Sequence, residues 1–584
     1  MRFLSCLGLL LTALPAFAQT PAAPASNLAP LTVEKIMRDQ AQWIGTSPSG
    51  IYWGEDSKHI YFNWNPEKTR RDSLYQVSPT GGTPRKVSVT AQQTLPASEG
   101  HYDTKYTRKV YEKDGDIYLL DLKSQRIRRI TNTAERETDP TFAQRDQLIV
   151  YTRAQNLYTW DPTTGETTQR TDFRRGFKPG NPLLDQSERF LRAQQLALFE
   201  VVRQRDQDQK AREKQQRALA RLRPKAIYIG QQTVRDPQLS PDGRYVTYTL
   251  AQEPATTKGT VVPSFVTASG FTEDLSSRTK VGAPQTTYEL GIYDVARDST
   301  FTLNYRELKG LDEQPTYRNE YKPTKQLQPA DSSKATVARK QKAATEMRRI
   351  RPYGPFWSED GQHAFLVVRS ADNKDRWIVA LDPATQKIKL LDRQRDEAWI
   401  NGPGIGYDEG NVGWLDNRRI WFQSEETGYS HLYTVDAVSG QKKALTSGKF
   451  EIQKAQLSRD KKTWYLTANA SHPGETHFYH MRAEGGPLQQ ITSLVGGNEV
   501  TVSPDEKLLA VRYSSSNSPW ELYMLPNKPN NTGGRMRQLT HSTTPNSKVT
   551  PGANPRSLAS KPKMASMYTL GSTAPRRPRR KVQP

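Results

Sequence analysis

The chain has 584 residues, of which 35% are hydrophobic and 25% charged, and a mean hydropathy of -0.79. That length allows several domains or one large repeat architecture, and the lack of a second apolar run of about 18 residues excludes a multi-spanning membrane protein. Glycine (37) and proline (39) stand near ordinary usage, which excludes collagen-like and wholly disordered chains, while 26 Tyr, 16 Phe and 11 Trp favour a folded, β-rich body.

At the amino terminus Arg2 precedes an apolar run from Phe3 to Phe17, and Ala16-Phe17-Ala18 has the small-x-small form of a cleavage site. Residues 1–18 therefore read as a secretory signal peptide, and the protein as exported, periplasmic or secreted. The run is short and contains Pro15, which argues against a retained anchor helix and leaves no membrane contact after cleavage. The only cysteine, Cys6, lies inside it, so the mature chain has neither a disulfide nor a thiol nucleophile. Residues 19–30, rich in Ala and Pro, read as a disordered leader.

From residue 31 to 544 one phrase recurs: Ser-Pro-Asp-Gly, a short β run, Leu-Tyr-x-x-Asp, a Gly turn, and a closing Leu-Thr. Its first half stands at Leu239-Ser240-Pro241-Asp242-Gly243 and Trp357-Ser358-Glu359-Asp360-Gly361, with weaker copies at Leu457-Ser458-Arg459-Asp460 and Val502-Ser503-Pro504-Asp505. Its second half stands at Ile117-Tyr118-Leu119-Leu120-Asp121, Leu157-Tyr158-Thr159-Trp160-Asp161 and Leu432-Tyr433-Thr434-Val435-Asp436. Asp-Gly supplies the positive φ of a tight turn and the alternating apolar residues make half-buried strands. A unit of about 45 residues yields a four-stranded sheet that buries both faces only beside its neighbours, the condition met in a propeller. Eight phrases start near Trp53, Thr107, Thr141, Leu239, Trp357, Gly413, Leu457 and Val502. The expectation is an all-β, eight-bladed β-propeller.

Two stretches break the rhythm. Residues 187–223 carry Leu191, Leu198, Phe199 and Val202 at helical spacing and predict an amphipathic helix inserted between the third and fourth blades. Residues 319–351 read as a basic, partly helical or disordered loop before the fifth. Residues 187–225 (11 basic, 5 acidic), 319–351 (9 and 3) and 545–584 (9 and none) together hold 21 of the net +23 charges. The propeller body is thus nearly neutral, which removes nucleic acid as a partner.

Of the titratable clusters, His472, Glu475, His477 and His480 hold no metal on this reading: on a strand His477 and His480 point to opposite faces, and Pro473-Gly474 breaks a helix. Glu425-Glu426 reads as a hairpin tip, His431 as a hydrogen-bonder within its blade, and Asp121, Asp161, Asp294, Asp382 and Asp436 as turn residues. No cofactor is expected.

The eight phrases, the helical insertion, Leu31-Thr32-Val33-Glu34-Lys35-Ile36 and Glu426-Thr427-Gly428-Tyr429-Ser430-His431-Leu432-Tyr433 together resemble the amino-terminal propeller of dipeptidyl peptidase IV-like enzymes, of the prolyl oligopeptidase family of serine peptidases. The resemblance implies a propeller that gates and positions short peptides, with Pro or Ala near the cleavage point, for a following α/β-hydrolase domain. That domain would carry the Ser, Asp and His, the Ser on a G-x-S-x-G turn. The expected hydrolase domain is missing from this reading frame: Gly45-Thr46-Ser47-Pro48-Ser49 and Gly428-Tyr429-Ser430-His431 both lack the second Gly, so no catalytic residue is assigned and the chain as encoded is expected to be inactive. The family anchors a substrate's amino terminus with paired Glu residues on a helical excursion. Leu198-Phe199-Glu200-Val201-Val202 offers one, so Glu200 is the candidate substrate-binding residue and strict dipeptide release is in doubt. A possible homo-oligomer, and a stand-alone exported scaffold binding peptides or proteins, complete the expectations.

The tail, 545–584, has no Asp or Glu and reads as disordered and out of frame. Codons for PNSKVTPGANPRS admit a neighbouring frame reading PEFKSYPWREPEI, and those for SLASKPKMASMYTLGSTAP one reading LGIKAQDGVNVYARLYRP. Both strings resemble the family's linker into its hydrolase, which points to a one-base frameshift near codon 545.

Overall fold

The repeated phrase is a hydrogen-bonded turn. The computed structural model describes residues 32–178, 186–219, 224–256, 258–280, 283–313, 347–529 and 536–545. In it Ser358 Oγ donates to Asp360 Oδ1 at 2.6 Å and accepts the His363 amide at 2.9 Å. The hydroxyls of Ser240, Ser458 and Ser503 accept the amides of Tyr245, Thr463 and Leu508 in the same way, at 2.9, 3.0 and 3.0 Å. The left-handed slot of the turn is filled by Gly243 and Gly361, but by Lys461 (φ 57°) and Glu506 (φ 58°) in the weaker copies. A side chain there costs roughly 1–2 kcal/mol, so in those copies the Ser-Asp pair, not glycine, holds the turn.

The other half of the phrase works similarly. Asp161, Asp294, Asp382 and Asp436 accept turn amides through Oδ1, Asp436 from Val438 at 3.0 Å and Ser439 at 2.6 Å. The closing Thr ties the fourth strand to the third: Thr131, Thr446, Thr492 and Thr540 accept the amides of Ile117, Leu432, Phe478 and Leu522 at 2.8–3.0 Å.

Each phrase builds one four-stranded antiparallel sheet with its strands in sequence order, and there are eight: I (49–86), II (101–129), III (137–169), IV (233–302), V (350–395), VI (412–444), VII (452–490) and VIII (497–538). The expected eight-bladed propeller is what the chain forms, and no α/β-hydrolase sheet occurs among the described residues. The phrase starts read from the sequence fall mostly at the end of each innermost strand, where the Ser-x-Asp turn begins.

Sheet stacks on sheet through apolar side chains. Leu290 and Ile292 of blade IV pack with Leu366, Trp377 and Val379 of blade V, all fully buried. No strand is exchanged between blades I and VIII; the ring closes on side chains, with Trp53, Phe62 and Trp64 against Ala510, Leu522 and Leu539. Trp53 Nε1 donates to Thr501 O at 2.9 Å and Arg512 Nε to Pro48 O at 2.8 Å across this seam.

The two ends of the ring differ. On one, here the turn face, the first turns of successive blades touch: the Thr104 amide reaches Asp146, the Gln144 amide Pro241 O, the Asp360 amide Asn417, and the Arg459 amide Glu506. Some contacts on this face skip blades. Lys461 of blade VII pairs with Glu359 of blade V at 2.7 Å, and the Arg459 guanidinium lies 4.5 Å from the Tyr106 ring centroid of blade II. On the opposite, entry face the chain arrives and leaves side by side, the Thr544 amide donating to Ile44 O at 2.9 Å.

Two excursions leave from the entry face. Blade IV extends a hairpin, Val262–Ser264 with Glu273–Leu275, whose Phe265, Val266 and Phe271 are exposed. This hairpin was not among the elements expected from the sequence. The insertion after blade III is two helices, Gln186–Leu198 and Glu200–Leu219, where one was expected. Arg192 pairs with Asp206 at 3.3 Å, whereas 14 residues of straight helix span about 21 Å. The chain therefore folds back at Phe199, and Arg203 secures the bend by donating to Leu196 O and Ala197 O, each at 3.0 Å.

The hydrogen bonds and ion pairs of these helices that join described residues stay within the pair, and Phe190, Leu191, Leu198 and Phe199 are exposed. Replacing residues 179–223 by a short Gly-Ser linker is accordingly expected to move the melting temperature by less than about 3 °C; calorimetry of both forms checks it.

The expected signal peptide (1–18), the leader (19–30), most of the basic loop (314–346) and the tail from 546 lie outside the described residues. The loop's last residues are not loop. Ile350 opens the first strand of blade V, and Arg348, 8% exposed, is bound in a buried ion cluster.

Candidate functional site

Blade V carries the densest buried charge in the described structure. Asp375, fully buried at the start of the third strand, accepts from Arg348, from Arg393 Nε at 3.0 Å and from Arg395 at 2.8 Å. Arg348 also pairs with Asp372 at 2.7 Å, and its guanidinium lies 5.9 Å from the Trp377 ring centroid. This clamp fixes the chain immediately before the first strand, and so the placement of Arg349 and Arg351.

Those two arginines edge a cleft of about 520 Å³ on the entry face, between blades IV and V. Arg351 lies between two aromatic rings, 5.2 Å from the Tyr288 centroid and 4.8 Å from that of Tyr353. Such contacts orient a guanidinium while leaving its N–H edge free. Tyr353 donates its hydroxyl to Tyr407 O at 3.1 Å, and burial raises its pKa above the ordinary value. Glu253, the only carboxylate lining the cleft among the described residues, is engaged by Arg235 at 3.2 Å and by the Thr286 hydroxyl at 2.7 Å.

The back of the cleft is held by arginines without carboxylates. Arg369, 2% exposed, donates to Ile400 O at 2.8 Å and to Ile405 O and Asp408 O at 3.3 Å. Arg376, fully buried, donates to Glu409 O at 2.6 Å and Gln423 O at 3.0 Å. Together they pin the loop between blades V and VI that brings Tyr407 to the cleft. Burial pushes the pKa of Arg369 down and that of Arg376 to about 10; both stay cationic at neutral pH. The Nε of each is buried without a hydrogen-bond acceptor. At the edge of the cleft, Arg349 and Arg351 have no ion pair among the described residues, an arrangement that favours an anionic or strongly accepting group.

The residues singled out from the sequence do not gather here. Glu200 is the first residue of the second insertion helix, exposed at the bend, and no ion pair or hydrogen bond joins its carboxylate to another described residue. Glu425 starts the turn closed by the Gly428 amide, and Glu426 pairs with Lys442, as a hairpin tip does. Ser430 is buried and donates to Pro403 O at 2.7 Å. His431 lies 3.1 Å from Thr446 Oγ1 within its blade, His477 3.0 Å from Glu475, and His480 2.7 Å from Asn527. Among the described residues no three His, Cys, Asp or Glu side chains are grouped to hold a metal. Sequence reasoning missed the cleft, whose one local signal was Arg348-Arg349-Ile350-Arg351 directly ahead of a blade phrase.

Residues 353–520, from the first strand of blade V into blade VIII, match the model of the dipeptidyl peptidase IV (DPP IV) N-terminal region. Among solved structures the chain is similar to dipeptidyl peptidase 4 of Porphyromonas gingivalis (14% identity, TM-score 0.49, 88% of this chain and 62% of that one). It is also similar to a Bacteroides ovatus protein assigned as a dipeptidyl aminopeptidase IV (11% identity, TM-score 0.46, 88% and 63%). The chain thus spans less than two thirds of the length of either.

Proposed function

Because the chain carries a propeller like the N-terminal region of dipeptidyl peptidase IV, we propose that it is the substrate-gating part of an exported serine exopeptidase acting on short peptides. The observation that carries this reading is the family match over residues 353–520, which includes the wall of the cleft from Tyr353 to Tyr407. The cleft, the helical excursion and the departing chain also share the entry face. A domain following Thr544 would meet that face first. In this reading the propeller excludes folded proteins and offers the cleft as one wall of a peptide site, while a hydrolase domain supplies the nucleophilic serine, its His base and the oxyanion hole.

The tail's neighbouring frame is the second support. Resequencing the coding DNA from codon 535 through the bases beyond the tail is expected to reveal a one-base change that opens a frame encoding G-x-S-x-G, then Asp, then His. A verified sequence with no such frame would leave the peptidase reading without its catalytic half and favour a stand-alone exported scaffold. The 584-residue product itself is expected to resist labelling by a fluorophosphonate serine-hydrolase probe; labelling of the purified chain would refute its inactivity.

A further inference from the structure

We propose that the cleft between blades IV and V is a carboxylate subsite, so that the peptides preferred by this propeller carry an acidic group at the position lodged there. The inference rests on the peptide-binding reading above and adds the chemistry of what is bound.

Three guanidiniums line the cleft, those of Arg349, Arg351 and Arg369, and among the described residues none has a carboxylate within ion-pair distance. Elsewhere in the same blade arginines are paired in the ordinary way, three of them on Asp375 alone. The contrast is local and chemical. Arg349 spends one N–H on Gln285 O at 3.3 Å, and Arg351 is exposed and engaged only by the faces of Tyr288 and Tyr353. Arg369 sits behind them, bound to backbone carbonyls, with the Asp408 carboxylate acting on it from beyond ion-pair distance. Glu253 is spoken for by Arg235 and Thr286. The cleft edge at Arg349 and Arg351 is therefore left with positive charge that no ion pair among the described residues neutralises, and a guanidinium edge held between two rings matches the planar, bidentate geometry of a carboxylate.

Two parts of a short peptide present that group: an Asp or Glu side chain, or the terminal carboxylate. Calorimetric titration of the purified chain at low ionic strength separates them with three tripeptides: Ala-Ala-Glu amide, Ala-Ala-Gln amide and Ala-Ala-Gln free acid. The Glu amide is expected to bind roughly tenfold tighter than the Gln amide, a preference that shrinks as salt is added. Arg351→Gln is expected to abolish the preference, and Arg351→Lys to keep part of it, with the melting temperature unchanged in both because Arg351 has no ion pair to lose. If the free acid gains the same factor and loses it in Arg351→Gln, the subsite stands and the terminal carboxylate also reaches it. Equal binding of Glu and Gln amides, or a preference that survives Arg351→Gln, overturns the carboxylate subsite while leaving the peptide-binding reading intact. Failure of all three peptides to bind defeats both.

Discussion

Substituting Asp375 by Ala is expected to destabilise the propeller by about 3–5 kcal/mol, more than any surface change in blade V. The carboxylate is fully buried and is shared by Arg348, Arg393 and Arg395, of which Arg348 is itself 4% exposed at the side chain. Removing it strands Arg348 on Asp372 alone and leaves Arg393 on Glu313 and Arg395 on Glu313 and Glu397, both carboxylates about half exposed. The cost is that of buried charge without a partner, so it should fall when the charge is removed as well. Arg348→Met together with Asp375→Ala is expected to be less destabilised than the sum of the two single changes. Denaturant midpoints for the four proteins of this cycle measure the coupling; strict additivity would mean that Asp375 is not the centre of the cluster. Asp375→Ala is also expected to lower the affinity of the cleft for peptide, because Arg348 sets the strand that carries Arg349 and Arg351.

A comparable loss, about 3–5 kcal/mol, is expected for Trp53→Ala, but with a different distribution over the molecule. Trp53 is 6% exposed, packs in the cluster shared by blades I and VIII, and donates across the seam to Thr501 O. Truncation leaves a cavity and an unmatched carbonyl at the one joint where the chain is not continuous. Trp464 offers the internal comparison: it is fully buried, hydrogen-bonded to Ala483 O at 3.1 Å and packed edge-on to Trp421, but it lies between blades VI and VII, which the chain joins directly. Hydrogen exchange should therefore quicken first in blades I and VIII for Trp53→Ala and around blades VI and VII for Trp464→Ala. Uniform quickening around the ring in both variants would mean that the seam is no weaker than any other joint.

The blades were legible because each is specified within about 45 residues, by bonds that run between near neighbours. Ser358 to Asp360 and His363, or Thr446 to Leu432, are contacts within one phrase, and the residue types they require recur in the text of the sequence. The helical break was not legible, since Leu198-Phe199 continues the apolar period while the reversal is fixed by Arg203 and the Arg192–Asp206 pair. The cleft was least legible. It assembles Glu253, Tyr288, Arg351, Arg369 and Tyr407 from two blades and a loop, and a run of arginines before a strand looks the same in sequence whether it is solvated, clamped by Asp375 or poised over a binding surface. Glu200 shows the converse: a residue chosen through a family motif stands on a helix whose described side-chain bonds stay within the excursion.

The ties across the turn face bear on traffic. Because Lys461 reaches Glu359 and Arg459 reaches Tyr106 over intervening blades, side chains of blades II, V and VII meet across the turn face. A ligand too large to pass between these ties would then arrive and leave by the entry face. Its exchange would be governed by whatever stands at that face, from which the two excursions leave.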